Sequence, residues 1–227
     1  DAAGRLYAVQ TLLQLTHPAD AALVRGADID DAPRFSHRGL MLDVARHFFP
    51  VETVLAVIDR ALSMKLNRLH LHLTDDQGWR LEIPDLPELT ERAASTSSDG
   101  DPGGFFTQDD VHRIVAYAAE RGIEVIPEID LPGHTHAVGV AYPDLVAPAQ
   151  LLDSVRETAA QFGEALPVDH EPFTGKAVGF SSLRMDDERV WTFLDTVFAG
   201  VTAVFPAAWL HIGGDEALGT AQDDFDF

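Results

Sequence analysis

Asp215 and Glu216 are neighbouring carboxylates placed directly after two glycines, in Leu210-His211-Ile212-Gly213-Gly214-Asp215-Glu216-Ala217. A carboxylate pair suits acid–base chemistry, provided both members reach one substrate. On a regular strand adjacent side chains point to opposite faces, so the pair can converge only where the pleat is broken. Gly213 and Gly214 are where it can break. The same two acids would also suit the first turn of a following helix, where they would complement its dipole. The elements upstream decide between these readings.

Leu6, Val9, Leu12, Leu13 and Leu15 recur at helical spacing with Pro18 just beyond, which predicts a helix from the first residues. After a polar segment carrying Asp28, Asp30, Asp31 and Pro33, the run from Gly39 to Val44 reads as the first core strand, interrupted only by Asp43. Val51, Val54, Leu55, Ile58, Ala61 and Leu62 form a helical stripe behind Pro50. Arg68 to Thr74 reads as the second strand, with Leu69, Leu71 and Leu73 on one face, His70 and His72 on the other, and Asp75-Asp76 at its end. The polar stretch 78–104, with Trp79 and Arg80, is expected to be a long loop over one end of the fold. Thr107 and Asp110 make a capping-box-like start for a helix through Val111, Ile114, Val115 and Ala118 that stops at Gly122. Glu124 to Ile129 is the third strand, carrying Glu128 and Asp130 at its end, and Leu131-Pro132-Gly133-His134 turns away from it. Residues 142–180 show only a weak helical patch near 151–162; a helix over about 186–203 follows, and Ala207 to Ile212 is expected to be a short buried strand.

Strands and helices thus alternate, and each strand is apolar with acids at its C-terminal end. This order describes parallel βαβ units whose strands are buried on both faces. The carboxyl ends of such strands form the active face of a (β/α) barrel or of a doubly wound sheet. Asp43, Asp75, Asp76, Glu128, Asp130, Asp215 and Glu216 would collect there. Four core strands stand against the eight of a closed barrel, which typically takes about 250 residues. The expectation is an α/β fold of the (β/α)8 TIM-barrel type, limited to the N-terminal half of the barrel.

The chain has 227 residues, 46% of them hydrophobic, enough for one sizeable core. Its 16 Lys and Arg against 37 Asp and Glu give a net charge of -21, which disfavours nucleic acid and anionic membrane surfaces as partners. Without cysteine there is no disulfide framework and no thiolate nucleophile or metal ligand. No apolar run approaches the ~20 residues of a membrane span. The first residues lack a signal-peptide layout, so any export signal would lie outside this sequence.

Four segments resemble the family 20 glycoside hydrolases, the β-N-acetylhexosaminidases, in the right order. They are Arg38-Gly39-Leu40-Met41-Leu42-Asp43-Val44-Ala45-Arg46-His47-Phe48-Phe49, His70-Leu71-His72-Leu73-Thr74-Asp75-Asp76-Gln77-Gly78-Trp79-Arg80, Pro127-Glu128-Ile129-Asp130-Leu131-Pro132-Gly133-His134-Thr135, and the Gly-Gly-Asp-Glu stretch. The resemblance implies a (β/α) barrel behind a smaller α/β domain, with residues 1–17 as the last helix of that domain and 18–227 as a partial catalytic barrel. The implied reaction releases a terminal β-linked N-acetylglucosamine or N-acetylgalactosamine from an amino-sugar oligosaccharide or glycoconjugate with retention, using the substrate's own 2-acetamido oxygen as nucleophile. Neither metal nor cofactor is implied.

By match to the family's motifs, Glu216 is the general acid and base, its pKa pushed upward by a neighbouring charge and partial desolvation. Asp215 would hold the acetamide and stabilise the oxazolinium intermediate. Arg46 matches the arginine that grips sugar hydroxyls. Asp75 matches an acid near the general acid, and Asp130 and His134 a hydrogen-bonded pair that orients it. Singly, each has a plainer reading: Arg46 as a surface ion-pair partner, Asp75 as a turn residue, His134 as a helix-start residue. Trp79 fits either a sugar platform or a loop tryptophan covering the core.

A rival reading assembles His70, His72, Asp75, His134 and His211 into a zinc site of a barrel hydrolase. Against it, His70 and His72 precede their strand's end and would sit deep in the barrel. A second rival is an inactive fragment. The family's second barrel half supplies the acetamido pocket walls, and nothing here matches them. Residues 1–227 alone are therefore expected to hydrolyse a chromogenic N-acetylglucosaminide weakly or not at all, and to need a complementary C-terminal half.

Overall fold

The structure, a computed structural model, describes residues 2–17, 20–24 and 26–217. Helix α1 (Ala2–Leu15) runs into an antiparallel hairpin of β1 (Thr16–His17) and β2 (Asp20–Val24). The helix buries no residue and leaves Val9, Leu12 and Leu13 exposed. Two polar tethers join it to the rest: Arg38 Nη2 donates to the Tyr7 hydroxyl at 2.6 Å and Gln14 Nε2 to the Ser63 carbonyl at 2.9 Å. Thr16 pairs with Val24 and His17 with Asp20, so the boundary expected after residue 17 falls inside a hairpin.

The site is carried by three parallel strands, β3 (Gly39–Asp43), β4 (Arg68–His72) and, further along, the strand Glu124–Glu128. Helix α2 (Val51–Ser63) connects the first two. After β4 a small hairpin of β5 (Thr74–Asp75) and β6 (Gly78–Trp79), the short α3 (Glu88–Glu91) and a 3-10 turn at Ser98–Gly100 fill the stretch expected to be loop. Helix α4 (Gln108–Glu120) then leads into β7, the strand Glu124–Glu128. The Thr107 hydroxyl accepts from the Asp110 amide at 3.1 Å while Asp110 accepts from the Thr107 amide at 3.0 Å, so the capping box is present. Helices α5 (His136–Ala141), α6 (Asp153–Phe162) and α7 (Glu188–Val204), with a 3-10 turn at Pro143–Leu145 after α5, complete the described elements.

Register places Asp43 beside His72 and His72 beside Glu128, at the carboxyl ends of the strands. Alternation does the rest. Leu69, Leu71, Val125 and Ile129 are buried in one core with Val54 and Ile58 of α2, Ile114 of α4 and Val197 of α7. Burial of each large apolar side chain contributes about 1.5–3 kcal/mol. The opposite face holds Met41, His70, His72 and Glu128; His72 and Glu128 are buried, whereas Met41, expected to be covered, is 54% exposed.

The fourth strand also departs from expectation. Only a single parallel bridge, Glu128 to His211, joins it to β7, with backbone bonds from His211 to Pro127, Ile129 to His211 and Leu131 to Ile212. Trp209 and Ile212 are exposed. Its apolar run reads as buried, but burial requires a neighbour on its free edge and inner face, and the described residues place none there.

Candidate active site

The glycine break exists. Gly213 and Gly214 take φ of +64° and +104°, and Glu216 itself lies at +50°. The Gly214 amide donates to Asp130 Oδ1 at 3.0 Å, and a Cβ on Gly213 would meet that oxygen at 1.7 Å. Only glycine allows this approach. Past the break, Glu216 Oε2 comes within 3.2 Å of His134 Nε2 and Asp215 Oδ2 within 3.9 Å of the same nitrogen. The Glu216 contact lacks hydrogen-bond alignment, which leaves His134 Nε2 unsatisfied. Asp215 and Glu216 have side chains 71% and 46% exposed, so the desolvation expected at Glu216 is not supplied by the described residues. Any helix for which they would serve as first-turn acids lies outside the described residues.

Below them the site is buried. His134 Nδ1 is 3.1 Å from Asp75 Oδ1, and both side chains are almost completely buried. Asp75 Oδ2 also receives Arg46 Nη2 and His72 Nε2, each at 2.7 Å. Burial would raise the Asp75 pKa, but His134, His72 and Arg46 hold it below the ordinary carboxylate range. Burial likewise opposes a charged His134, yet Asp75, Asp76 and Asp130 raise its pKa to about 9. Arg46 is steadied by Asp43 at 3.0 Å and keeps about a third of its side chain exposed, so its fork remains reachable.

His134 sits at φ +54°, and the peptides after it are pinned. Ser181 Oγ accepts from the Thr135 amide at 2.8 Å and donates to Asp76 Oδ1, which also accepts from the His136 amide at 3.0 Å. Sequence reasoning missed Ser181, which follows a segment with little periodicity; Asp76 was legible as a strand-end acid, without this role.

Two assignments change. Asp130 and His134 were expected to be hydrogen-bonded to each other; instead Asp75 is His134's partner and Asp130 holds the Gly214 amide. Burial, with Asp215 and Asp75 nearby, raises Asp130 to about 6 against the Gly214 amide and His134. Trp79 is not a platform: it is 1% exposed, donates its indole N–H to the Leu81 carbonyl at 2.6 Å and meets Phe193 edge-on. The β5–β6 hairpin turns it into the core.

Three groups bring possible metal ligands within 4.8 Å of one another: His70–Glu128–His211, His72–Glu128–Asp130 and Asp75–Asp130–His134. In the second, both His72 nitrogens already face carboxylates, Glu128 at 2.8 Å and Asp75 at 2.7 Å. Burial is outweighed by these partners and His72 is raised to about 10, so a metal there would have to displace two carboxylate contacts. In the third, His134 Nδ1 already faces Asp75 at 3.1 Å. In the first, His70 Nε2 and His211 Nδ1 both face Glu128, at 2.6 and 3.0 Å, and His211 Nδ1 also accepts from the Gly213 amide at 3.1 Å.

Residues 35–224 match the catalytic domain of glycosyl hydrolase family 20. The chain belongs to this family. It is 42% identical over 226 residues to a β-N-acetylhexosaminidase of Cellulomonas fimi, covering 99% of this chain and 42% of that protein. It superposes on a solved glycoside hydrolase family 20 β-N-acetylglucosaminidase with a TM-score of 0.90 and 54% identity, over 99% of this chain and 46% of the other. A mutant Streptomyces plicatus β-hexosaminidase in complex with its product GlcNAc matches with a TM-score of 0.85 and 42% identity, over 99% and 43%. The chain spans less than half the length of these family 20 relatives. Family 20 catalytic domains are TIM barrels, and the parallel sheet with its helices is part of such a barrel.

Proposed function

We propose that these residues belong to a β-N-acetylhexosaminidase that removes terminal, non-reducing β-linked N-acetylglucosamine or N-acetylgalactosamine with retention of configuration. The observation carrying this reading is the placement of Asp215 and Glu216 beyond a broken pleat, both directed at a buried His134–Asp75 pair. In the first step the substrate's acetamido oxygen attacks the anomeric carbon while Glu216 gives its proton to the departing glycosidic oxygen. Asp215 accepts from the acetamide N–H and balances the charge of the oxazolinium ion. In the second step Glu216 takes a proton from water as it attacks the same carbon, and the acetamide is restored. Arg46 binds hydroxyls of the terminal sugar. Asp75 and His134, being buried, act through Glu216 rather than on the sugar. Asp130 fixes the glycine turn that presents the pair.

The inner face is open at Met41 and Trp209, so residues outside those described would supply the opposite wall of the sugar pocket. Isolated residues 1–227 are accordingly expected to be poorly active at best. The test of the reading is Glu216→Gln in the natural polypeptide that carries this chain, with turnover of a chromogenic N-acetylglucosaminide and binding of GlcNAc measured side by side. Loss of turnover with retained binding supports it; undiminished turnover overturns it.

A further inference from the structure

We infer that Glu128 and His72 are positioning residues for Glu216, acting on it through Asp75 and His134; this rests on the role proposed for Glu216. Acids and imidazoles alternate from Glu128 to Glu216, hydrogen-bonded as far as His134 and in close contact at the last step. Glu128 Oε2 is 2.8 Å from His72 Nδ1, His72 Nε2 is 2.7 Å from Asp75 Oδ2, Asp75 Oδ1 is 3.1 Å from His134 Nδ1, and His134 Nε2 is 3.2 Å from Glu216 Oε2. The first four side chains are at most 6% exposed, and Glu216 alone opens to solvent. The line begins on β7, crosses β4 and ends beyond the fourth strand, so register across the sheet builds it.

Both oxygens of Asp75 are committed. Oδ2 takes Arg46 and His72, while Oδ1 takes His134 and the Asp76 amide at 2.7 Å. The carboxylate cannot turn without giving up one of these bonds. His72 is fixed in the same manner, a carboxylate on each ring nitrogen. Glu128 is in turn held by His70 Nε2 at 2.6 Å and faces His211 Nδ1 at 3.0 Å. Without the Glu128 charge, His72 has no partner that requires its Nδ1 proton. The ring is then free to turn, and its Nε2–H no longer holds Asp75 Oδ2 in line with His134.

Stability alone gives little reason for such a line. Barrel interiors are ordinarily filled by bulky branched apolar residues, and buried ion pairs replaced by well-packed apolar groups often leave stability unchanged or improved. What a carboxylate bracketed by histidines supplies, and a leucine does not, is one fixed orientation for the next group in the chain.

A double-mutant cycle in the natural polypeptide carrying this chain tests the inference. Glu128→Gln, nearly isosteric, is expected to lower kcat about tenfold or more with KM changed less than about twofold. On an Asp75→Asn background it should cost less than about twofold, because the link it acts through is already cut. Equal losses in both backgrounds, or a Glu128→Gln enzyme with unchanged kcat, would overturn the inference. Should Glu128→Gln fail to fold, His72→Asn, which can still donate to Glu128 but not reach Asp75, goes through the same cycle with the same two outcomes. A Glu216→Gln enzyme with full turnover would instead remove the functional reading, a separate failure.

Discussion

A single methyl group on residue 213 would lie 1.7 Å from Asp130 Oδ1, at a backbone φ of +64° that side chains other than glycine rarely adopt. Two penalties therefore fall on one substitution. Gly213→Ala should lower stability by about 1–3 kcal/mol, the usual cost of an imposed left-handed conformation, and should also move Asp215 and Glu216 away from His134. Chemical denaturation together with turnover checks this; an unchanged denaturation midpoint and unchanged kcat would mean that the turn does not position the acids. His134 carries a comparable strain at φ +54°, offset by Ser181 and Asp76 on the two amides that follow it. His134 and Glu216, two of the non-glycine residues at positive φ among the described residues, thus lie in the site.

Between the strands, Arg80 organises the segment that was expected to be a simple loop. It is fully buried, and its guanidinium donates to the carbonyls of Ala45 at 2.7 Å and Thr96 at 2.6 Å, with longer bonds to Val44, Ala94 and Gly104. Burial lowers its pKa to about 10. Arg80→Met would leave those carbonyls unpaired and should cost about 3 kcal/mol, with KM rising because Arg46 follows the tied backbone; a loss below about 1 kcal/mol would contradict this. Elements with a strong period, β3, α2, β4, α4 and β7, were legible in the sequence, as was the capping box at Thr107. Trp79 was not, because a tryptophan in a polar stretch looks the same whether its hairpin turns inward or outward. Nor was Ser181, whose neighbours carry no apolar rhythm, and Ala207–Ile212 reads as buried because composition does not record whether a neighbouring strand is present. The acid pair and its glycines were readable because a broken pleat needs residues of that kind in that order. The partner of His134 was not, since strand register decides it.

For the molecule as a whole, the buried network ties stability to pH. His134 and His72 are raised from 6.5 to about 9 and about 10, so the folded chain keeps protons that the unfolded chain releases. Their contribution is complete below about 6.5 and is lost as pH rises through 9 to 10. Asp75, lowered, contributes above its ordinary pKa of about 3.9 and loses that contribution in acid, whereas Asp130, raised to about 6, favours the fold most when protonated. The melting temperature of the chain should accordingly fall between pH 7 and pH 10, and a flat profile over that range would mean the histidines are not held charged. The same charged interior, open on one side, is what an acid–base site would need once a sugar covers it. The most direct measurement is the pair of constants for Glu216→Gln in the natural polypeptide carrying this chain. The expected result is a kcat lower by about 10²–10⁴-fold, the usual contribution of general acid–base catalysis, with the Kd for GlcNAc unchanged; a variant that turns over an N-acetylglucosaminide as fast as the unsubstituted enzyme would contradict it.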